Sequence, residues 1–296
     1  MTTLNDLIAR VRSNALDRPR LDFLATTTLN NSDTVTPATF QDGTQFSVGG
    51  ILDFDDATFE ACYVSAKPTT PTATLVRGWE STTVAHAAGA RIRVNPRYRM
   101  FTYRQAINSS LSAIGVAMKR NAWDSTQSFT STSGIYTVPA TATRVVAVYT
   151  NPAQNVSGGT TQLNGIPVDF LSSVPTAISS TGKAVKLRGR NPSSGTAYIA
   201  YQDPWPALTA ATDTLDPDFP ADAEDLITLG AECYLLDHDG FSLVAFQEPH
   251  VHARQFGSKQ SDVDAAWTRK MQRFFTRRTE VAATRPRRNM AWLKGN

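Results

Sequence analysis

The sequence predicts an α+β protein: helices packed with a small β unit and a β-sandwich or barrel-like insertion, then a C-terminal amphipathic helix and an extended basic arm. Three observations carry that prediction. Short β-branched and aromatic runs recur between Ser128 and Tyr201. Apolar stripes at helical spacing occur before and after them in the chain, and basic residues gather at the C-terminal end.

Thr3 to Asp17 reads as the first helix. Thr3 with Asp6 has the form of a capping box, Leu4, Leu7, Ile8, Val11 and Ala15 make one apolar stripe, and Pro19 limits its length. The span 34–95 reads as a small β unit in which Phe46 and Val48, Ile51 and Phe54, then Phe59, Ala61 and Tyr63 alternate in short runs. "QDG", "VGG" and "KPTTP" punctuate them as turns, with Gly49-Gly50 suited to positive φ. Strands at Ala73–Arg77 and Arg91–Val94 flank "RGWESTTVAHAAGA". Asn95-Pro96 ends this unit. Tyr98 to Lys119 returns to helical spacing through Phe101, Ile107, Leu111, Ile114 and Met118, although Gly115 weakens its last turn by about 1 kcal/mol relative to alanine.

The helical elements are thus expected in 1–33 and 96–127, and the sandwich-like unit in 128–204. In the latter, "GIYTVP", "RVVAVYT", "TQLNGIPVDFL", "KAVKLRG" and "TAYIAYQ" are the strand candidates, with Asn164-Gly165 as a turn. The span 205–284 holds an acidic loop and C-terminal helices. Six acidic residues lie between Asp213 and Asp225, and Asp222, Glu224 and Asp225 fall where a helix begins and complement its dipole. Ser261 to Thr284 is an amphipathic helix with Val263, Trp267, Met271, Phe274 and Phe275 on one stripe. Pro286 breaks it, leaving 285–296 as the arm.

Composition narrows the function. Apolar content of 41% and charged content of 19% are ordinary for a folded chain of 296 residues. Cys62 and Cys233 are the only cysteines, so no disulfide framework and no CxxC metal spacing is present. "MTTLNDLIARVRSNALD" mixes charge with apolarity, so no secretory leader is expected, and no apolar run approaches the ~20 residues of a bilayer span. From Arg254 onward eleven Lys/Arg face three Asp/Glu, which leaves eighteen against twenty-three elsewhere. A basic segment on an otherwise acidic chain implies a charged partner or a solvated helix face.

Candidate chemistry is sparse. Ser81 and His86 are close, with Glu80 beside them, yet no GxSxG elbow surrounds the serine. A structural turn is the better account, with Gly78 and Gly89 setting backbone geometry, Thr82 and Thr83 bonding to nearby backbone, and His86 as a hydrogen-bonder. Asp237, His238, Asp239, His250 and His252 include an HxH and have donors suited to a divalent metal, but "DHDG" reads equally as a turn. No phosphate-binding or zinc-protease motif occurs. The expectation is no catalytic residue and no cofactor. Arg269, Lys270, Arg273, Arg277 and Arg278 are candidates for a DNA-facing or interface surface through sequence-independent phosphate contacts.

Three stretches also carry a family resemblance: "LVRGWESTTVAHAAGARIRVNPRYRMFTYRQAIN", "GIYTVPATATRVVAVYTNP" and "AYIAYQDPWPALTAATDTLDPDFPADAEDLITLGAECYLL". Their order resembles virion proteins of tailed bacteriophages, in particular the head–tail connector (adaptor or neck) proteins. That resemblance implies a non-enzymatic, homo-oligomeric ring in the virion neck, assembled in the host cytoplasm. Its implied partners are the portal protein and the next neck or tail protein, with the genome passing through the ring. No membrane is involved. Arg285, Arg287, Arg288, Trp292 and Lys294 then become the expected portal- or partner-binding arm: cations for an acidic surface and an aromatic anchor. Another tail or capsid-surface component is the alternative within virion proteins. A metal-dependent hydrolase using His86 or the His250/His252 pair is the alternative outside them.

Overall fold

The computed structural model describes residues 1–14, 20–56, 59–79, 82–130, 133–150, 165–189, 192–246 and 256–284. The architecture is mixed α+β, with four α-helices and three antiparallel sheets among the described residues. Two compact units are formed, Met1–Leu111 with Ala207–Arg277, and Ser112–Pro206 with Arg278–Asn296.

The first unit opens with α1 (Leu4–Asn14), whose cap is the one the sequence announces. Asp6 N–H donates to Thr3 Oγ1 at 3.1 Å and Thr3 N–H donates to Asp6 Oδ2 at 2.9 Å. The stripe Leu4, Leu7, Ile8 and Val11 is buried. Six strands follow: β1 (Arg20–Phe23), β2 (Val35–Thr39), β3 (Ile51–Phe54), β4 (Ala61–Thr69), β5 (Thr72–Val76) and β6 (Arg91–Val94). They pair in the order β1-β6-β3-β4-β5-β2. The sheet curls until its edge strands meet at one end, where Leu24 bridges Phe40 and Ala25 N–H donates to Thr39 O at 2.9 Å. Curling encloses a core of Leu24, Phe40, Leu52, Phe54, Val64, Leu75 and Ile92. Gly43 sits at φ +65, and a Cβ there would lie 2.7 Å from the Pro71 backbone, so this corner requires glycine.

Asp53 of β3 accepts the Met100 N–H at 2.9 Å and so seats the first turn of α2 (Met100–Ala117). Two further helices are α3 (Glu224–Phe246) and α4 (Phe256–Thr284). Acidic residues before and at the start of α3 are engaged within the chain. Asp213 caps Thr209 and Ala210 N–H, and Glu224 accepts from Thr2 and Arg10. Gly230 lets three helices approach closely: a Cβ there would fall 2.2 Å from Ser110 Oγ on α2 and 2.9 Å from Phe274 on α4.

In the second unit β7 (Arg120–Ser128), β12 (Thr196–Asp203) and β9 (Arg144–Tyr149) form one sheet. β10 (Val168–Leu171), β11 (Ala184–Leu187) and β8 (Ile135–Thr137) form the other. Both contribute to one apolar core, including Val138, Val145, Val148, Val185, Ala197 and Ile199. The Gln127 side chain acts as a length of strand, accepting from Thr137 N at 3.0 Å and donating to Thr137 O.

Several expectations are corrected. β1 and most of β7 lie in segments expected to be helical, because "RLDF" is too short for a period and "RNAWDSTQS" is too polar for one. Phe46 and Val48 form no strand; Phe46 is buried edge-on against Phe40 at 4.3 Å while Val48 is exposed. β4 runs through Lys67-Pro68, leaving only Thr70-Pro71 as the turn. "DHDG" is not a turn, since α3 continues through it. On α4, Phe274 is buried but Phe275 is exposed, so the stripe runs through Phe274 and Val281.

Candidate functional site

The stretch Arg77–Gly89 converges with Asp56 and Glu60 on one buried polar cluster. It links β5 to β6, which are not neighbours in the sheet, so it is a crossover and not a hairpin turn. Gly78 at φ +68 and Gly89 at φ +83 bound it, as the sequence suggests. Glu80 and Ser81 lie outside the described residues.

Glu60 is the centre. It immediately precedes β4, where Phe59 at φ +58 turns the chain, and its carboxylate is fully enclosed. Oε1 accepts from Arg77 Nε at 3.0 Å and from Gly78 N–H at 3.3 Å. Oε2 accepts from Arg77 Nη2 at 2.8 Å, Val84 N–H at 2.8 Å and His86 Nε2 at 2.9 Å. The Arg77–Glu60 pair is therefore bidentate, the geometry that fixes orientation as well as charge. Arg77 spends its remaining donors on backbone carbonyls, with Nη1 reaching Asn30 O and Nη2 reaching Val84 O.

His86 lies on the far side of Glu60. Its Nδ1 meets Asp56 Oδ2 at 2.8 Å, and its ring stacks on Phe54 with centroids 3.5 Å apart and planes 5° from parallel. Its backbone makes both bonds of a bridge to Leu29. Thr83 Oγ1 donates to Asn31 O at 2.6 Å, a long-range bond and not the local one expected. The loop, the Leu29–Asp33 segment and the sheet are thus held at a single point.

The electrostatics follow from this geometry. Burial pushes the Glu60 carboxyl up, but bonds from His86, Arg77 and Val84 outweigh it and bring the value down to about 2. Burial pushes His86 down, and the Asp56 and Glu60 carboxylates more than reverse it, so the net shift is upward. Cys62 Sγ donates to Glu60 Oε1 at 3.6 Å, and burial together with the Glu60 charge holds this thiol far above its ordinary value. A cysteine, a histidine and two carboxylates share one place here. The thiol's value is raised and the side chains of Glu60, Arg77 and His86 are sealed from solvent, so the arrangement fixes the loop to the start of β4.

The other expected residues fall elsewhere. His238 lies in α3, while His250 and His252 lie outside the described residues. No group of three His, Cys, Asp or Glu suited to a metal occurs among the described residues. On α4, Lys270 is paired with Glu232, and Arg277 with Asp225 at 3.2 Å. Arg278 donates to Ala113 O at 3.0 Å, and Arg269 and Arg273 are exposed. Arg285, Arg287, Arg288, Trp292 and Lys294 lie outside the described residues. No helix of the described residues is long and apolar enough to cross a membrane.

Sequence reasoning missed Glu60 and Asp56. The available signal was "TFEACYV", where a carboxylate interrupts a run that otherwise reads as buried strand, together with the arginine that ends "TATLVR". Against known proteins, no family model and no curated relative matches this chain.

Proposed function

We propose that this chain is a non-enzymatic structural protein of a tailed-phage virion, forming a homo-oligomeric ring in the neck that joins portal to tail and lets DNA pass. The observation that supports it is the use made of "RGWESTTVAHAAG", the core of the resemblance. Arg77 and His86, its two most chemically suggestive residues, both grip the sealed Glu60 carboxylate. The stretch therefore acts as scaffold, which fits a resemblance to a structural family better than to a hydrolase.

In this proposal the basic C-terminal region supplies the partner contacts. Lys270 and Arg277 are engaged within the chain, and Arg273, exposed on α4, is suited to a phosphate backbone or an acidic neighbour. Residues 285–296 would be the portal-binding arm beyond the amphipathic helix. The test is mass spectrometry and imaging of purified particles, together with deletion of 285–296. The expected result is multiple copies at the neck, and heads that fail to join tails in the truncation. Absence from particles overturns the proposal, a tail or capsid-surface position replaces the neck, and normal particle yield from the truncation removes the arm's role.

A further inference from the structure

We infer that His86 is held as an imidazolium between Asp56 and Glu60, and works as a protonation-dependent latch keeping the loop before Gly89 against the Leu29 segment. This inference concerns the first unit alone and does not depend on a virion role.

Hydrogen-bond arithmetic comes first. Nδ1 faces Asp56 Oδ2 at 2.8 Å and Nε2 faces Glu60 Oε2 at 2.9 Å. An ionised carboxylate only accepts, so both ring nitrogens must donate, and only the imidazolium has two N–H groups. A neutral ring would set one nitrogen lone pair against a carboxylate at bonding distance. Charge balance agrees: Asp56 and Glu60 bring two negative charges, Arg77 brings one positive, and the imidazolium supplies the second.

Among the described residues, the groups facing His86 come from β3, the start of β4 and the loop itself. Phe54 of β3 stacks on the ring, and beyond it Asp56 is half-buried with a side chain 34% exposed. Asp55, next to Asp56, is tied to Arg12 at 3.1 Å and to Arg91, so its charge is met elsewhere. Glu60 approaches from the start of β4, carrying the Cys62 thiol and the Arg77 guanidinium of the residue after β5. From the loop itself the Val84 N–H joins the same Glu60 oxygen as the ring. Loss of the ring proton therefore strikes the oxygen that also anchors Val84, and the Leu29 bridge sits on the His86 backbone.

The direction with pH follows. His86 titrates higher when folded, so its contribution is complete below the ordinary histidine value of 6.5 and is lost as pH rises through the folded value. Glu60 works the other way, its contribution being complete above 4.5 and lost only as pH falls through about 2. The latch is closed in mild acid and opens on the alkaline side.

The test uses the full chain labelled with 15N and 13C in histidine, where stacking on Phe54 marks the His86 ring by its ring-current shift. Long-range proton–nitrogen spectra at neutral pH are expected to show both His86 nitrogens protonated. Amide exchange at Leu29 and His86, corrected for intrinsic rates, is expected to accelerate about tenfold or more across the His86 titration. Asp56→Asn keeps the shape of a partly exposed side chain and should move both events down by about one pH unit. A ring with a single N–H at neutral pH overturns the inference. So does exchange that stays level through the titration, or an Asp56→Asn titration coincident with the wild type. Should that variant fail to fold, the wild-type spectra and exchange decide alone.

Discussion

The two β regions of this molecule hold themselves together by different chemistry. The curled six-stranded sheet of the first unit buries Asp22, Asp53, Glu60, Arg77, His86 and Arg93 among its apolar residues. The paired three-stranded sheets of the second unit enclose an apolar core, with Val148, Val185 and Ile199 fully buried, and Asp203 of β12 is buried beside Arg120. The difference teaches where each is vulnerable. A buried charge network fails when one member is removed, because its partner is left charged and unpaired. An apolar core fails in proportion to the volume deleted.

The largest effect that tests this contrast is expected at Glu60. Replacing Glu60 with alanine strands Arg77 and His86 and should cost about 3–5 kcal/mol, read from urea unfolding, with exchange loosened at Leu29, Val84 and His86. A loss below about 1 kcal/mol would mean that the network is dispensable and the comparison empty. Next comes Ile199→Ala in β12, expected to cost about 2–4 kcal/mol by cavity formation. Its added exchange should appear in β7, β9 and β12 and leave the Glu60 cluster protected; spread into that cluster would break the distinction.

Two glycines sharpen the comparison at smaller scale. Gly230→Ala forces a methyl against Ser110 and Phe274 where three helices meet, and should destabilise by about 1–3 kcal/mol. Gly115→Ala meets Trp205 at an ordinary 3.6 Å and gains helix propensity, so it should be neutral or stabilise by up to about 1 kcal/mol. Thermal unfolding of the two variants side by side should rank them in that order. The reverse ranking would show that packing in the helical layer is looser than these distances imply.

Much of this fold was legible in the chain. The Thr3–Asp6 capping box, the α1 stripe, β3, β6 and the strands of the second unit other than β7 follow from local pattern, because caps and periodicity are properties of neighbouring residues. β1 and β7 were not legible, since a four-residue strand and a polar edge strand carry little periodic signal. The candidate site was half legible. "RGWESTTVAHAAG" stands out for its glycines and its histidine, and His86 is hydrogen-bonded at both ring nitrogens. The nearby acid Glu80 invited attention, yet the carboxylates that hold His86 are Asp56 and Glu60, 30 and 26 residues away.

By itself the sequence determined the alternation of helical and β segments, the glycine corners at Gly78 and Gly89, and the lopsided charge toward the C-terminal end. Each of these depends on residue type and short-range spacing. Only the tertiary structure decided that Arg77 and His86 close on Glu60, that β5 and β6 are not neighbours, and that Cys62 is buried against Glu60. Those facts depend on the curl of the sheet, which brings distant residues within 3 Å of one another and removes the water that would otherwise have screened their charges.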